Sequence, residues 1–301
     1  MPDILHTVAD SPLHYLPDPF PEPVPIRLFL KRDDLLHPLV SGNKWRKLKY
    51  NLIAAREQDF STLLTFGGAF SNHLYATAAA GQVFGFQAIG IVRGDELAYL
   101  PRNATLAFCE SAGMRLHFVS RTDYRRKDEP EFVADLLRQF GPCYVLPEGG
   151  TNDLARRGTA EILPEITQQL GQAPDYVGCA VGTGGTVAGI AQSATPATQV
   201  LGVVVLKGIN SFPAVCLNLN EYPEDCLHLL TDYHFGGYAK TTPELLNFIR
   251  AFEQRTGVLL EQVYTGKLFY AIYDLARQGY FPDNATVVAV HTGGLQGRNV
   301  P

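Results

Sequence analysis

Long apolar runs are missing from this sequence, and none approaches the roughly 20 residues that a membrane-spanning helix needs. Basic runs are missing too. With a net charge of −5 and no cluster of lysines and arginines, the chain is not expected to bind nucleic acid. Cysteine is scarce: the five present (Cys109, Cys143, Cys179, Cys216 and Cys226) are odd in number, widely spaced and include no C-x-x-C pair. That excludes a disulfide framework and a zinc site, and points to reduced thiols in a cytoplasmic protein without a metal. Cys109 and Cys179 lie in apolar segments and read as core residues. The stretch 1–25 is rich in proline and acid but has neither a basic nor an apolar segment of the kind that forms a secretory signal. No internal repeat and no low-complexity segment interrupts the chain.

What remains is an ordinary globular composition: 301 residues, 46% hydrophobic and 18% charged, enough for one large or two medium domains. After the extended, proline-punctuated lead-in, strands and helices alternate. Strands are expected over 27–33, 62–66, 88–92, 116–119, 143–146, 176–181, 199–205 and 285–290. Helices are expected from 44 onward and over 71–83, 104–112, 130–140, 154–170, 186–193, 243–254 and 267–278. Such alternation with short glycine-marked turns is the pattern of an α/β protein, a parallel sheet covered by helices on both faces. Its ligands gather at the carboxyl ends of the strands. Between 207 and 240 the pattern lapses into a stretch rich in Asn, Pro and Tyr, expected to be a long loop near the site.

Six segments carry chemistry. Ser41-Gly42-Asn43-Lys44-Trp45-Arg46-Lys47-Leu48 puts Lys44 at a strand-loop-helix junction, with Trp45, Leu48, Leu52 and Ile53 on one helical face. An amine held there forms a Schiff base if burial lowers its pKa. Gly182, Thr183, Gly184, Gly185 and Thr186 follow an apolar strand and open a helix, so exposed N–H groups, the helix N-terminus and two hydroxyls make a cradle for one phosphate. No lysine follows the glycines and the spacing is not G-x-G-x-x-G, which excludes a Walker A loop and weakens a dinucleotide site. Gly67-Gly68-Ala69-Phe70-Ser71-Asn72-His73 is a second strand-to-helix turn, in which Ser71 or Asn72 also suits a helix cap. Glu148-Gly149-Gly150-Thr151-Asn152, Val263-Tyr264-Thr265-Gly266-Lys267 and His291-Thr292-Gly293-Gly294 complete the set.

In that order, S-G-N-K-x-R-K-L, G-G-x-x-S-N-H and V-Y-x-G-K make the chain resemble the D-cysteine desulfhydrase and 1-aminocyclopropane-1-carboxylate deaminase family of pyridoxal 5′-phosphate (PLP) enzymes. These share the tryptophan synthase β-subunit-like fold, fold type II. The resemblance implies two lobes, each an open twisted, mostly parallel sheet flanked by helices, with PLP in the cleft between them. The larger lobe would comprise 1–47 plus 147–301, the smaller inserted lobe 48–146. It further implies Lys44 as the Schiff-base lysine and base toward the substrate Cα, and Asn72 at the ring hydroxyl. The 182–186 loop would hold the phosphate, Ser71 the substrate carboxylate, with His73 one position on. Tyr264 and, less firmly, Tyr238 would flank the substrate. Thr265 would face the pyridine nitrogen with Thr292 near it. A homodimer and a small amino-acid substrate are implied as well.

The family's two activities divide on those threonines. Ring-opening deaminases of the family carry a glutamate after the tyrosine and a leucine in place of Thr292. A carboxylate holds the ring nitrogen protonated and deepens the electron sink, which a cyclopropane without a leaving group needs. A hydroxyl does not, whereas a departing thiolate needs less of the sink. The expectation is therefore β-elimination of the D-cysteine desulfhydrase type. The alternatives are 1-aminocyclopropane-1-carboxylate deamination and a PLP-binding protein without turnover. The sequence departs from the family pattern around Gly236-Gly237-Tyr238, which lacks a proline, and in the polar tail Leu295-Gln296-Gly297-Arg298-Asn299. It is also somewhat short.

Overall fold

The computed structural model describes residues 9–40, 42–208 and 226–300. Ser41, Cys216 and positions 209–225 of the irregular stretch lie outside the described residues, as does the start of the lead-in. In chain order the strands are β1 (Leu13–Leu16), β2 (Ile26–Lys31), β3 (Thr62–Gly67), β4 (Gln87–Arg93), β5 (Met114–Val119), β6 (Tyr144–Leu146), β7 (Tyr176–Val181), β8 (Gln199–Val204), β9 (Leu227–Leu230) and β10 (Ala285–Val290). The helices are α1 (Asn43–Glu57), α2 (Asn72–Phe84), α3 (Ala104–Ser111), α4 (Arg121–Tyr124), α5 (Pro130–Phe140), α6 (Asp153–Thr159), α7 (Ile162–Leu170), α8 (Gly185–Gln192), α9 (Pro243–Thr256) and α10 (Thr265–Arg277).

Two sheets result. One has six strands in the order β1-β2-β10-β7-β8-β9, the other four in the order β5-β4-β3-β6. Every neighbouring pair is parallel except β1 with β2. The smaller sheet draws only on residues between Thr62 and Leu146; the larger uses the chain before and after. β10 explains why the six-stranded sheet is covered on both faces. All six of its residues are buried, with Val287 and Ala289 in the core on one side and Val288 and Val290 in the core on the other.

Parallel register brings the ends of β2, β7 and β10 to one edge, so the turns after Lys31, Val181 and Val290 converge. α1 connects the two sheets. Trp45, Leu48 and Leu52 pack with Leu63, Ala79 and Phe84 beneath the smaller sheet, while Arg46 on the same helix is tied to Asp33 in the turn after β2 and to Glu165 on α7.

Three details differ from the sequence expectation. The helix expected over 154–170 is two helices, α6 and α7, because Pro164 lacks the N–H that an unbroken helix would bond to the Ala160 carbonyl. The irregular stretch contains β9, which pairs with β8 at the sheet edge; four residues without alternation gave too little pattern to read. The lead-in contributes β1, an antiparallel edge strand flanked by Pro12 and Pro17, the sheet position where proline is tolerated.

Candidate active site

The octet around Lys44 forms the first turns of α1, and each described residue has a separate task. Gly42 adopts φ +67°, and a Cβ there would lie 1.9 Å from the Thr292 carbonyl oxygen, so only glycine lets the two turns touch. Across that contact the Asn43 N–H donates to the Thr292 carbonyl at 3.2 Å. The Asn43 amide donates to Thr186 Oγ1 at 2.8 Å and its oxygen accepts from Lys44 Nζ at 3.1 Å. One asparagine thus links the lysine to the glycine-rich loop. Burial lowers the Lys44 pKa to about 8, with the Cys179 thiol acting in the opposite direction. Arg46 closes a buried ionic network, bonding Asp33 at 2.6 Å and Glu165 at 2.7 Å, and Lys31 meets Glu165 at 2.7 Å.

Lys47, one helical turn after Lys44, is the feature that the sequence reading missed. Its amine is buried and donates to the Gly149 carbonyl at 3.1 Å, Thr151 Oγ1 at 3.0 Å and Thr183 Oγ1 at 3.3 Å. A Cβ on Gly185 would stand 3.0 Å from that amine. The loop of Gly182, Thr183, Gly184, Gly185 and Thr186 therefore joins the N-terminal N–H groups of α8 to a lysine ammonium. The absence of a lysine within the loop hid this cation, yet its i,i+3 spacing from Lys44 was a usable signal.

From the smaller sheet come Ser71, Asn72 and His73. Ser71 caps α2, its Oγ accepting from the Leu74 N–H at 3.2 Å. Asn72 Oδ1 accepts from Gln296 Nε2 at 3.0 Å. Gln296, in the tail that departs from the family pattern, thus joins the site. A cavity is lined by Asn43, Lys44, Asn72, Thr292, Gly294 and Gln296, among others. His73 is buried with both ring nitrogens lacking a partner. Burial, reinforced by Lys44 and Lys47, holds its pKa well below the usual range, so the imidazole is neutral.

Tyr264 is partly buried, and a Cβ on Gly182 would lie 3.1 Å from its ring. Its ring meets that of Tyr238 edge-on, with centroids 6.2 Å apart. Burial raises the pKa of Tyr264 well above the ordinary value, and desolvation raises that of the half-exposed Tyr238, so both stay protonated at neutral pH. Thr265 is fully buried and its hydroxyl is engaged by Glu261, accepting from the Glu261 N–H at 2.9 Å. The Glu261 carboxylate in turn accepts from the N–H groups of Val263, Tyr264 and Thr265 at 2.7, 2.6 and 2.6 Å. Thr292, not Thr265, lines the cavity.

A buried lysine of lowered pKa, an anion cradle carrying a second ammonium, and an unpartnered imidazole between them suit PLP. Its aldehyde, phosphate and polar ring substituents would meet a buried amine, a turn of backbone N–H groups and hydroxyls, and an imidazole whose nitrogens have no partner. Comparisons with known proteins agree. The family model described as pyridoxal-phosphate dependent enzyme matches residues 4–293. A Pyrococcus horikoshii protein named "Putative 1-aminocyclopropane-1-carboxylate deaminase" is 31% identical over 298 residues, covering 96% of this chain and 90% of that protein. The mitochondrial "Bifunctional D-cysteine desulfhydrase/1-aminocyclopropane-1-carboxylate deaminase" of Arabidopsis thaliana is 31% identical over 300 residues, covering 90% of this chain and 73% of the relative. The solved structure of an "ACC deaminase homologue" superposes with a TM-score of 0.82 at 29% identity, covering 96% of this chain and 90% of that one.

The chain belongs to the pyridoxal-phosphate dependent enzymes. Within them it falls in the 1-aminocyclopropane-1-carboxylate deaminase and D-cysteine desulfhydrase family, and its cofactor is PLP. Among the described residues no group of His, Cys, Asp and Glu is placed to hold a metal, and no helix is long and apolar enough to cross a membrane.

Proposed function

We propose that this chain carries out β-elimination on D-cysteine, converting it with water into a 2-oxo acid, ammonia and sulfide. The observation that carries the proposal is the pair Thr265 and Thr292. Neither offers a carboxylate to the ring nitrogen, and the acid beside Thr265, Glu261, already accepts three backbone N–H groups. When bound, PLP supplies the electron sink for charge developing at the substrate Cα. Lys44 Nζ, its pKa lowered to about 8, takes the Cα proton. The Cβ–S bond then breaks with its electron pair on sulfur, which needs less of the sink than opening a carbon ring.

Around that proton transfer the other groups bind and orient. Lys47 and the 182–186 loop would take the phosphate, and the Asn72 amide N–H would be left to donate to the ring oxygen, since Gln296 already donates to its carbonyl. The Ser71 hydroxyl and the neutral His73 meet the substrate carboxylate, and Tyr264 and Tyr238 stand beside it as protonated donors. We assign 1–47 plus 147–301 to the larger lobe and 48–146 to the smaller, and infer a cytoplasmic homodimer with no nucleic-acid or membrane partner.

The names of the relatives favour a second reading, deamination of 1-aminocyclopropane-1-carboxylate. The two separate in one assay. The holoenzyme is offered D-cysteine, L-cysteine and 1-aminocyclopropane-1-carboxylate, and 2-oxo acid, ammonia and sulfide are measured. Sulfide and 2-oxo acid from D-cysteine are expected, with little ammonia from the cyclopropane. The reverse result overturns the proposal. No turnover of any of the three leaves a PLP-binding protein without this chemistry.

A further inference from the structure

Lys267, the last residue of V-Y-T-G-K, has no part in the chemistry above, yet it is among the most deeply buried side chains of the molecule. Its amine donates to two backbone carbonyls, those of His234 and Gly237, each at 2.8 Å. Both belong to the segment that carries Tyr238. That segment is strained: φ is +52° at Phe235, +97° at Gly236, +119° at Gly237 and +56° at Ala239. Phe235 and Ala239 have a Cβ and disfavour this region, so their conformation persists only where surrounding contacts impose it. The loop's own bonds are few: Gly236 N–H to His234 Nδ1 at 2.9 Å, Gly237 N–H to the His234 carbonyl at 3.0 Å and Lys240 N–H to the Gly237 carbonyl at 3.1 Å. Phe235 also packs edge-on against Tyr270, centroids 5.0 Å apart.

We infer that Lys267 is a positioning residue, a buried ammonium that draws two loop carbonyls together and so holds Tyr238 against Tyr264. The spacing supports this. Lys267 lies one helical turn after Tyr264 on α10, so a single rigid helix start carries one tyrosine and tethers the loop that carries the other. Packing alone does not account for it. Burying an ammonium against carbonyl dipoles is costly, and an aliphatic side chain would fill the same space without desolvating a charge. Burial does lower its pKa, to about 8, with Glu261 opposing from a distance.

The inference rests on the proposed placing of Tyr238 and Tyr264 beside the substrate, and its test separates the two. Holoenzyme is treated with chymotrypsin, and cleavage after Phe235 and Tyr238 is located by mass spectrometry in wild type, Lys267→Met and Lys267→Arg. Cleavage is expected to be about tenfold faster in Lys267→Met, the order of losing one charge-assisted hydrogen bond, and to return toward wild type in Lys267→Arg. In parallel, D-cysteine elimination by Lys267→Met should fall as far as in Tyr238→Phe, with no further fall in the double variant and with the absorbance of the bound cofactor kept. Should Lys267→Met fail to fold, Lys267→Gln, which keeps a donor without the charge, serves in its place. Unchanged cleavage overturns the inference whatever Tyr238 does. Faster cleavage with turnover unaltered in both Lys267→Met and Tyr238→Phe leaves the tether standing and removes Tyr238 from the proposed site.

Discussion

Replacing Lys47 with Met should cost the enzyme its grip on the cofactor's phosphate while sparing the rest of the molecule. The amine is buried and donates to the Gly149 carbonyl and to the hydroxyls of Thr151 and Thr183. A phosphate in the 182–186 loop would place a full negative charge beside it. Removing one member of a buried ion pair costs about 3–5 kcal/mol. The lower end applies, because the N–H groups and hydroxyls of the 182–186 loop would still hold the phosphate. About 3 kcal/mol corresponds to roughly two decades of affinity. The assay is titration of apoprotein with PLP, followed by the absorbance of the bound cofactor, alongside titration with pyridoxal, which has no phosphate. Lys47→Met should weaken PLP roughly a hundredfold and leave pyridoxal nearly unchanged. Equal losses for both ligands, or no loss for PLP, would refute the assignment of Lys47 to the phosphate.

Other expectations follow from the same residues. Gly42→Ala places a Cβ 1.9 Å from the Thr292 carbonyl oxygen at φ +67°; a loss of at least about 2 kcal/mol is expected in urea unfolding, with poorer cofactor retention. Arg46→Met removes the counter-charge of the buried Asp33 carboxylate, while Glu165 keeps Lys31, and should destabilise by about 3–5 kcal/mol, read as a lowered melting midpoint. Capture of PLP by the apoprotein needs neutral Lys44. Because its pKa is lowered to about 8, the capture rate should climb with pH and level off above that value. A rate still climbing steeply at pH 10, near the ordinary lysine value of about 10.4, would contradict this.

The sheet strands were legible because parallel strands buried on both faces are continuous apolar runs. Tyr176–Val181 and Ala285–Val290 could be read to the residue. β1 and β9, each a four-residue edge strand, carry no such run. The glycine turns marked the site because close approach demands them, as at Gly42. What sequence could not give was the reach of long side chains across turns far apart in the chain. Lys47 meets Thr151 and Thr183, Gln296 meets Asn72, and Glu261 engages the Thr265 hydroxyl that was expected to face the ring nitrogen. Each contact depends on how strands with no sequence proximity are ordered in a sheet.

The most direct test concerns which amine carries the cofactor, since three lysines (Lys44, Lys47 and Lys267) have largely or fully buried amines near this site. Holoenzyme is reduced with borohydride, which fixes the cofactor on the lysine that holds it, then digested and mapped by mass spectrometry. The pyridoxyl group is expected on Lys44 alone, with the visible absorbance lost in Lys44→Ala. Modification of Lys47 or Lys267, or a protein that stays colourless with added PLP, would contradict the assignment on which the rest depends.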